Sequence, residues 1–199
     1  MKKYSLEILT FIMFAMVSFC AVFCRELSLV QRVMLGYMFL YTLHEWEEAR
    51  IPGGFYKLMS KFFAIDLTPE KEASAHIPVA VFLILITFVP FFTRHPLLAL
   101  VPVYLGIFEA VVHVAGIKLH RLDRPYTPGM VTALFLGAAS VCTLVLFSKD
   151  HLLLGSAYVW GILLMFVCFA AMQRTVIAIF GLGYKDLFAT AKAKIRGRQ

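Results

Sequence analysis

Charge is scarce in this chain. Asp, Glu, Lys and Arg make up 16% of its 199 residues, against about 25% in an average soluble domain. That deficit, with 61% hydrophobic residues and a mean hydropathy of +0.82, excludes a soluble catalytic domain and indicates a membrane protein. Strict apolar–polar alternation is absent, which excludes barrel strands. Internal repeats and low-complexity tracts are also absent. Cysteine is sparse, and Cys20, Cys24, Cys142 and Cys168 all fall in apolar stretches without a CxxC pair. They read as small core hydrophobes, not as a disulfide framework or zinc thiolates.

Six apolar segments are present, at about 5–24, 31–44, 75–92, 96–119, 128–147 and 152–180. Six spans of about 20 residues occupy about 120 positions, so any chemistry must sit in the bundle or at its surface. The expected fold is therefore all-α: a single polytopic transmembrane bundle over residues 1–199. Lys2 and Lys3 before the first apolar run resemble a signal peptide, but no small-x-small cleavage site follows, so the run is read as the first span.

Orientation follows from the basic residues. With the amino terminus inside, 15 lysines and arginines fall on the inner side, and only Arg25, Arg32, Arg94 and Lys149 fall outside. The positive-inside rule then places both termini in the cytoplasm. The basic excess reflects topology and contact with membrane lipids, not nucleic acid. The expected setting is a bacterial-type cytoplasmic membrane, with residues 185–199 forming a basic cytoplasmic tail.

Two loops carry structure of their own. After Pro52-Gly53-Gly54, the residues Phe55, Leu58, Met59, Phe62 and Phe63 recur at helical spacing, with Lys57, Ser60 and Lys61 opposite. This predicts an amphipathic helix over 55–63, lying in the inner interface. Thr68-Pro69-Glu70 and Thr127-Pro128-Gly129 read as capped helix starts.

Ionisable groups within spans are costly and mark functional candidates. His44, Glu47 and Glu48 lie at i, i+3, i+4 and share a helical face, with Tyr37 and Tyr41 on the turns before them. Glu109 and His113 are spaced i, i+4, and His76 opens the apolar part of the third span. All fall in the inner half of the membrane or at its cytoplasmic edge. The plain alternative is a solvated end of the second span paired with Arg50, with Glu109 and His113 satisfying each other.

His44-Glu-Trp-Glu47-Glu48 is an HxxEE motif, followed by Pro52-Gly53-Gly54-Phe55, by Glu109-Ala-Val-Val-His113 and by the stretch from Tyr126 to Ala133. Over residues 30 to 140 the chain resembles the HXXEE-domain membrane proteins. The expected family residue at position 109 is asparagine, so Glu109 is a departure. That family is a domain of unknown function, so the resemblance implies a fold and a site but no reaction.

Three mechanisms are compatible with these residues. In the first, His44, Glu48, Glu109 and His113, with His76 as a fifth ligand or base, hold zinc or a di-iron centre. A hydrolytic site would then use a spare glutamate, Glu47, Glu48 or Glu109, as the base. The substrate would be lipid-like or amphipathic, bound by Tyr41, Tyr126 and the cations Lys118, Arg121 and Arg124. In the second, His44, Glu48 and Glu109 perform metal-free proton chemistry, similar to the acid/base set of sterol isomerases of the emopamil-binding type. The paired glutamates also look a little like those of the CAAX-processing glutamate proteases, although the following arginine is spaced differently. The third is non-enzymatic: a metal or lipid binder, or a small transporter. Its polar residues are not distributed symmetrically between two halves.

Overall fold

A computed structural model describes residues 4–23 and 26–196. Cys24, Arg25 and the terminal residues Lys2, Lys3 and Arg198, which entered the expectations above, lie outside the described residues. Among the described residues eight helices follow one another: α1 (Ser5–Phe23), α2 (Leu29–Ala49), α3 (Phe55–Phe63), α4 (Pro69–Thr93), α5 (Pro96–Leu119), α6 (Met130–Lys149), α7 (Gly155–Ile179) and α8 (Tyr184–Arg196). Among the described residues there is no strand.

Five of these, α1, α4, α5, α6 and α7, are long and apolar enough to cross a membrane. This is an integral, multi-pass architecture. The remaining predicted span corresponds to α2, which at 21 residues is as long as the others but carries Arg32, Glu45, Glu47 and Glu48. Its polarity is tolerated because α2 is the hub of the bundle, packed against α1, α4, α6, α5 and α3. Met34 and Met38 are fully buried, as are Tyr37 and Tyr41. Tyr37 shares a 2.8 Å hydrogen bond with Ser140 on α6, and Tyr41 donates to the Pro102 carbonyl of α5 at 2.7 Å. The outer helices do the opposite. Phe11 and Phe19 on α1, and Val159, Trp160 and Val167 on α7, leave large apolar surfaces exposed, as lipid-facing helices do.

Local signals account for several helix starts. Ser28 and Gln31 form a capping box at α2, with Ser28 Oγ accepting from Gln31 N and Gln31 Oε1 accepting from Ser28 N. Thr68 caps α4 by accepting from Lys71 N, with Pro69 in the first turn. Helix α6 departs from the expected pattern. Its cap position is Gly129, and no side chain from the turn caps it, because the Thr127 hydroxyl is used elsewhere.

Two expectations at the chain's polar edge change in detail. Helix α3 forms over the predicted residues, but its apolar side is turned onto the protein. The Phe55 ring lies 5.9 Å from that of His113, and the Phe62 ring 5.0 Å from that of His120. The basic tail is a helix in its described part, α8, which packs against α3. Leu187 of α8 faces inward to a cavity while Lys185 and Lys192 are exposed, the division of an amphipathic helix.

Candidate functional site

The polar end of α2 meets the polar end of α5. Spacing of four residues places His44 and Glu48 on one face of α2, and Glu109 and His113 on one face of α5. Packing brings the two faces together. Nε2 of His44 lies 3.7 Å from Glu48 Oε1 and 3.9 Å from Glu109 Oε2; Nε2 of His113 lies 3.1 Å from Glu48 Oε1 and 3.7 Å from Glu109 Oε2. The two rings stand edge to face with centroids 5.1 Å apart. Both histidines are buried, at 3% and 2% exposure.

Donor counting fixes the tautomers. Nδ1 of His44 is 3.0 Å from Thr132 Oγ1, whose single proton goes to Glu47 Oε2 or to the Gly129 carbonyl, both pure acceptors. The hydroxyl therefore has no proton for the imidazole, and Nδ1–H of His44 must donate. The same holds at His113, where Nδ1 is 3.0 Å from Thr127 Oγ1 and that hydroxyl donates to the His113 carbonyl. In both neutral rings the bare nitrogen is thus Nε2. With both carboxylates ionised, two Nε2 atoms and two carboxylate oxygens converge as four acceptors with no donor among them. His113 Nε2 is buried and has no hydrogen-bond partner. A cation, or a proton shared between its members, would satisfy such a set. His44, Glu48 and His113 have ligand atoms all within 4.8 Å of one another, a group able to hold a metal ion.

Gly129 closes the far side. Its φ of +93° is in the region that favours glycine, and a Cβ there would stand 2.6 Å from Glu48 Cγ, 2.7 Å from His113 Cε1 and 3.0 Å from His44 Cε1. The turn before α6 is therefore pressed against three members of the cluster.

Glu47, a candidate base by its position in the motif, has a different role. Oε1 accepts from Tyr126 Oη at 2.9 Å and Val131 N at 3.1 Å, and Oε2 accepts from Thr132 N at 2.7 Å and from the Thr132 hydroxyl. This carboxylate caps α6 from another helix, where the N-terminal amides and helix dipole favour an anion. It explains why Thr127 is free to hold His113. Tyr126, expected to bind substrate, instead braces Glu47. Burial first, and then the hydrogen bond and charge of Glu47, push its phenol up to about 12.

Other expected members fall outside the cluster. His76 pairs with Glu45 rather than with the four, at 3.8 Å from Nδ1 to Oε2, beneath the ring of Tyr56 with centroids 4.8 Å apart. Arg50 does not neutralise the motif; it pairs with Glu7 on α1 at 3.0 Å. Lys118, in the last turn of α5, and Arg121 and Arg124, in the segment after it, are exposed, and none of them lines the main cavity.

That cavity, of about 310 Å³, lies between α2, α4, α5 and α7, with α3 and the start of α8 along its edge. His44, Glu45, Glu48 and Glu109 stand in its wall with Tyr41, and most of the remainder is apolar, including Phe63, Phe82, Leu105, Phe108 and Phe169. Burial first, and then the carboxylates of Glu45, Glu48 and Glu72, hold the Tyr56 phenol well above its usual range. Helical spacing does not mark Glu45, Thr127 or Thr132 as members of the site. Glu45 sits one residue from His44 and so on another face, while the threonines act through hydrogen bonds that only folding creates.

Fold and site together define an all-helical, multi-pass membrane protein with a histidine–carboxylate cluster at the head of an apolar cavity. Residues 34–144, more than half of the chain, match the family described as "Protein of unknown function with HXXEE motif", and the chain belongs to that family. No curated protein and no solved structure matches it.

Proposed function

We propose that this protein is a metal-dependent intramembrane enzyme that hydrolyses a lipid-like, amphipathic substrate. The observation that carries this reading is the convergence of four acceptor atoms whose donors are all committed elsewhere. Tetrahedral coordination with bonds of about 2.0–2.1 Å spaces ligand atoms about 3.3–3.4 Å apart, and the nitrogen–oxygen separations of 3.1–3.9 Å bracket that value. His44, Glu48 and His113 are assigned as zinc ligands, a two-histidine, one-carboxylate set that leaves a position open. Thr132 and Thr127 orient the two imidazoles through Nδ1–H, as outer hydrogen bonds do at metal centres. The ion would supply an acidified water and polarise a carbonyl. Glu109, 3.7–3.9 Å from both Nε2 atoms, is placed to take the water's proton and return it to the leaving group. The apolar cavity supports a substrate with a long apolar body.

The topology proposed with this reading has six spans, α2 included, and both termini on the cytoplasmic side of a bacterial-type membrane. The centre then faces inward, with α3 and α8 along the inner surface.

Metal analysis by mass spectrometry of detergent-purified protein tests the assignment. About one zinc ion per chain is expected in the wild type, and none in His113→Ala that still elutes as a folded species. Equal metal content in both would overturn it. A second reading, metal-free acid–base isomerisation, is favoured by the 3.1 Å approach of His113 Nε2 to Glu48 Oε1, which a proton could bridge. Wild-type protein without metal that still converts an apolar substrate would establish that reading.

A further inference from the structure

The cavity's charge is opposite to that of the chain. The sequence carries a net charge of +7. Yet Glu45, Glu48 and Glu109 are the acids in the cavity wall, and among the described residues no lysine or arginine lines it. Two of those carboxylates belong to the proposed centre. Glu45 does not. It is 7% exposed and faces the cavity, and among the described residues nothing donates a hydrogen bond to its carboxylate. The nearest imidazole nitrogen, His76 Nδ1, is 3.8 Å away, too far for a hydrogen bond, and has no hydrogen-bond partner itself. A largely buried carboxylate that meets only one imidazole, at ion-pair distance, and receives no hydrogen bond is incompletely satisfied. A ligand ammonium satisfies it with two or three charge-assisted hydrogen bonds, and the rings of Phe55, Tyr56 and Phe180 in the same wall favour a cation further.

We propose that the cavity takes a single-chain amphiphile with a primary ammonium head, and that Glu45 is the residue that recognises it. A volume of about 310 Å³ is at the small end of ligand pockets, about 300–1,000 Å³, which suits one chain rather than two. Glu45 and Glu48 are spaced i, i+3, so their Cβ atoms stand about 5–6 Å apart. The ammonium is thereby held one helical turn from the centre. An anionic head would meet three carboxylates and no cationic side chain. The chemistry performed on this ligand rests on the metal-enzyme reading; its recognition does not.

The test uses the full chain in nanodiscs of zwitterionic lipid, photolabelled with a dodecylamine analogue bearing a diazirine at the chain end. Unlabelled dodecylamine should displace the label at concentrations at least about tenfold lower than dodecanoate or dodecanol. Butylamine, which has the charge without the chain, should not displace it. Glu45→Gln should reduce specific labelling about tenfold or more and keep wild-type metal content. Displacement by dodecanoate as effective as by dodecylamine would overturn the proposal, and so would undiminished labelling of folded Glu45→Gln. Should that variant not fold, the wild-type competition ranking decides alone. Metal-free protein with the amine preference intact would sink the metal reading only. Metal-loaded protein without the preference would sink this inference only.

Discussion

The two imidazoles are held by arms of equal reach that end differently. From His44 the arm runs through Thr132 to the carboxylate of Glu47, which also holds Tyr126 and the first amides of α6. From His113 it runs through Thr127 back to the carbonyl of His113 itself. The first arm is charged and joins α2 to α6. The second is neutral and joins α5 only to the turn that follows it. One histidine is therefore coupled to the packing of the bundle, and the other to a local loop.

The largest effect is expected where both arms meet. Gly129→Ala places a Cβ within 3.0 Å of groups on Glu48, His113 and His44 at a positive φ. Overpacking and backbone strain together should cost about 2–4 kcal/mol, read as a lower thermal midpoint in detergent together with lost metal. A midpoint equal to wild type would mean that the turn does not seat against the cluster.

Glu47→Gln should damage two things at once. Losing a carboxylate that caps α6 should cost about 1–2 kcal/mol, and a weaker hold on Thr132 should lower metal affinity about tenfold or more. Thr127→Val, which breaks only the other arm, should lower metal affinity about 10–100-fold and change the thermal midpoint less. Equal stability losses in the two variants would erase the distinction between the arms.

Tyr126→Phe sharpens the charged arm through pH. Because the Tyr126 phenol is raised to about 12 in the fold from about 10 unfolded, its contribution is fully present below about pH 10 and is lost as pH rises toward 12. The stability difference between wild type and Tyr126→Phe should therefore shrink across that window, measured by urea unfolding in detergent. A constant difference would show that the hydroxyl does not act through Glu47. The smallest effect belongs to Arg50 and Glu7, whose side chains are 48% and 40% exposed. Arg50→Gln should change stability by less than about 1 kcal/mol and leave metal content unchanged.

The two sides of α2 also show how far spacing can be read. Glu47 and Glu48 are adjacent in the chain and both lie near the face of His44, so periodicity treats them as equivalent. A rotation of about 100° between consecutive helical residues sends Glu48 to α5 and Glu47 to α6, and only the positions of those helices separate their roles. The cations illustrate the converse error. Lys118, Arg121 and Arg124 follow the His113 stripe closely in sequence, but Lys118 lies on another face of α5, five residues from His113, and the turn ending α5 breaks the period before Arg121 and Arg124.

By itself the sequence determined the helical class, most helix positions, the helix over 55–63 and the pairing of His44 with Glu48 and Glu109 with His113. These follow from hydropathy and a 3.6-residue period, which act over a few turns of one helix. The tertiary structure alone decided that both pairs share one centre, that Glu47 caps α6, that two threonines set the imidazole tautomers and that Glu45 faces the cavity with no hydrogen-bond donor at its carboxylate among the described residues. Each depends on which helices lie side by side, and that is set by close packing of side chains distant in the chain, such as Tyr37 on Ser140 and Gly106 against Leu136. No local pattern encodes such contacts, because their partners are brought within reach only when the whole bundle has formed.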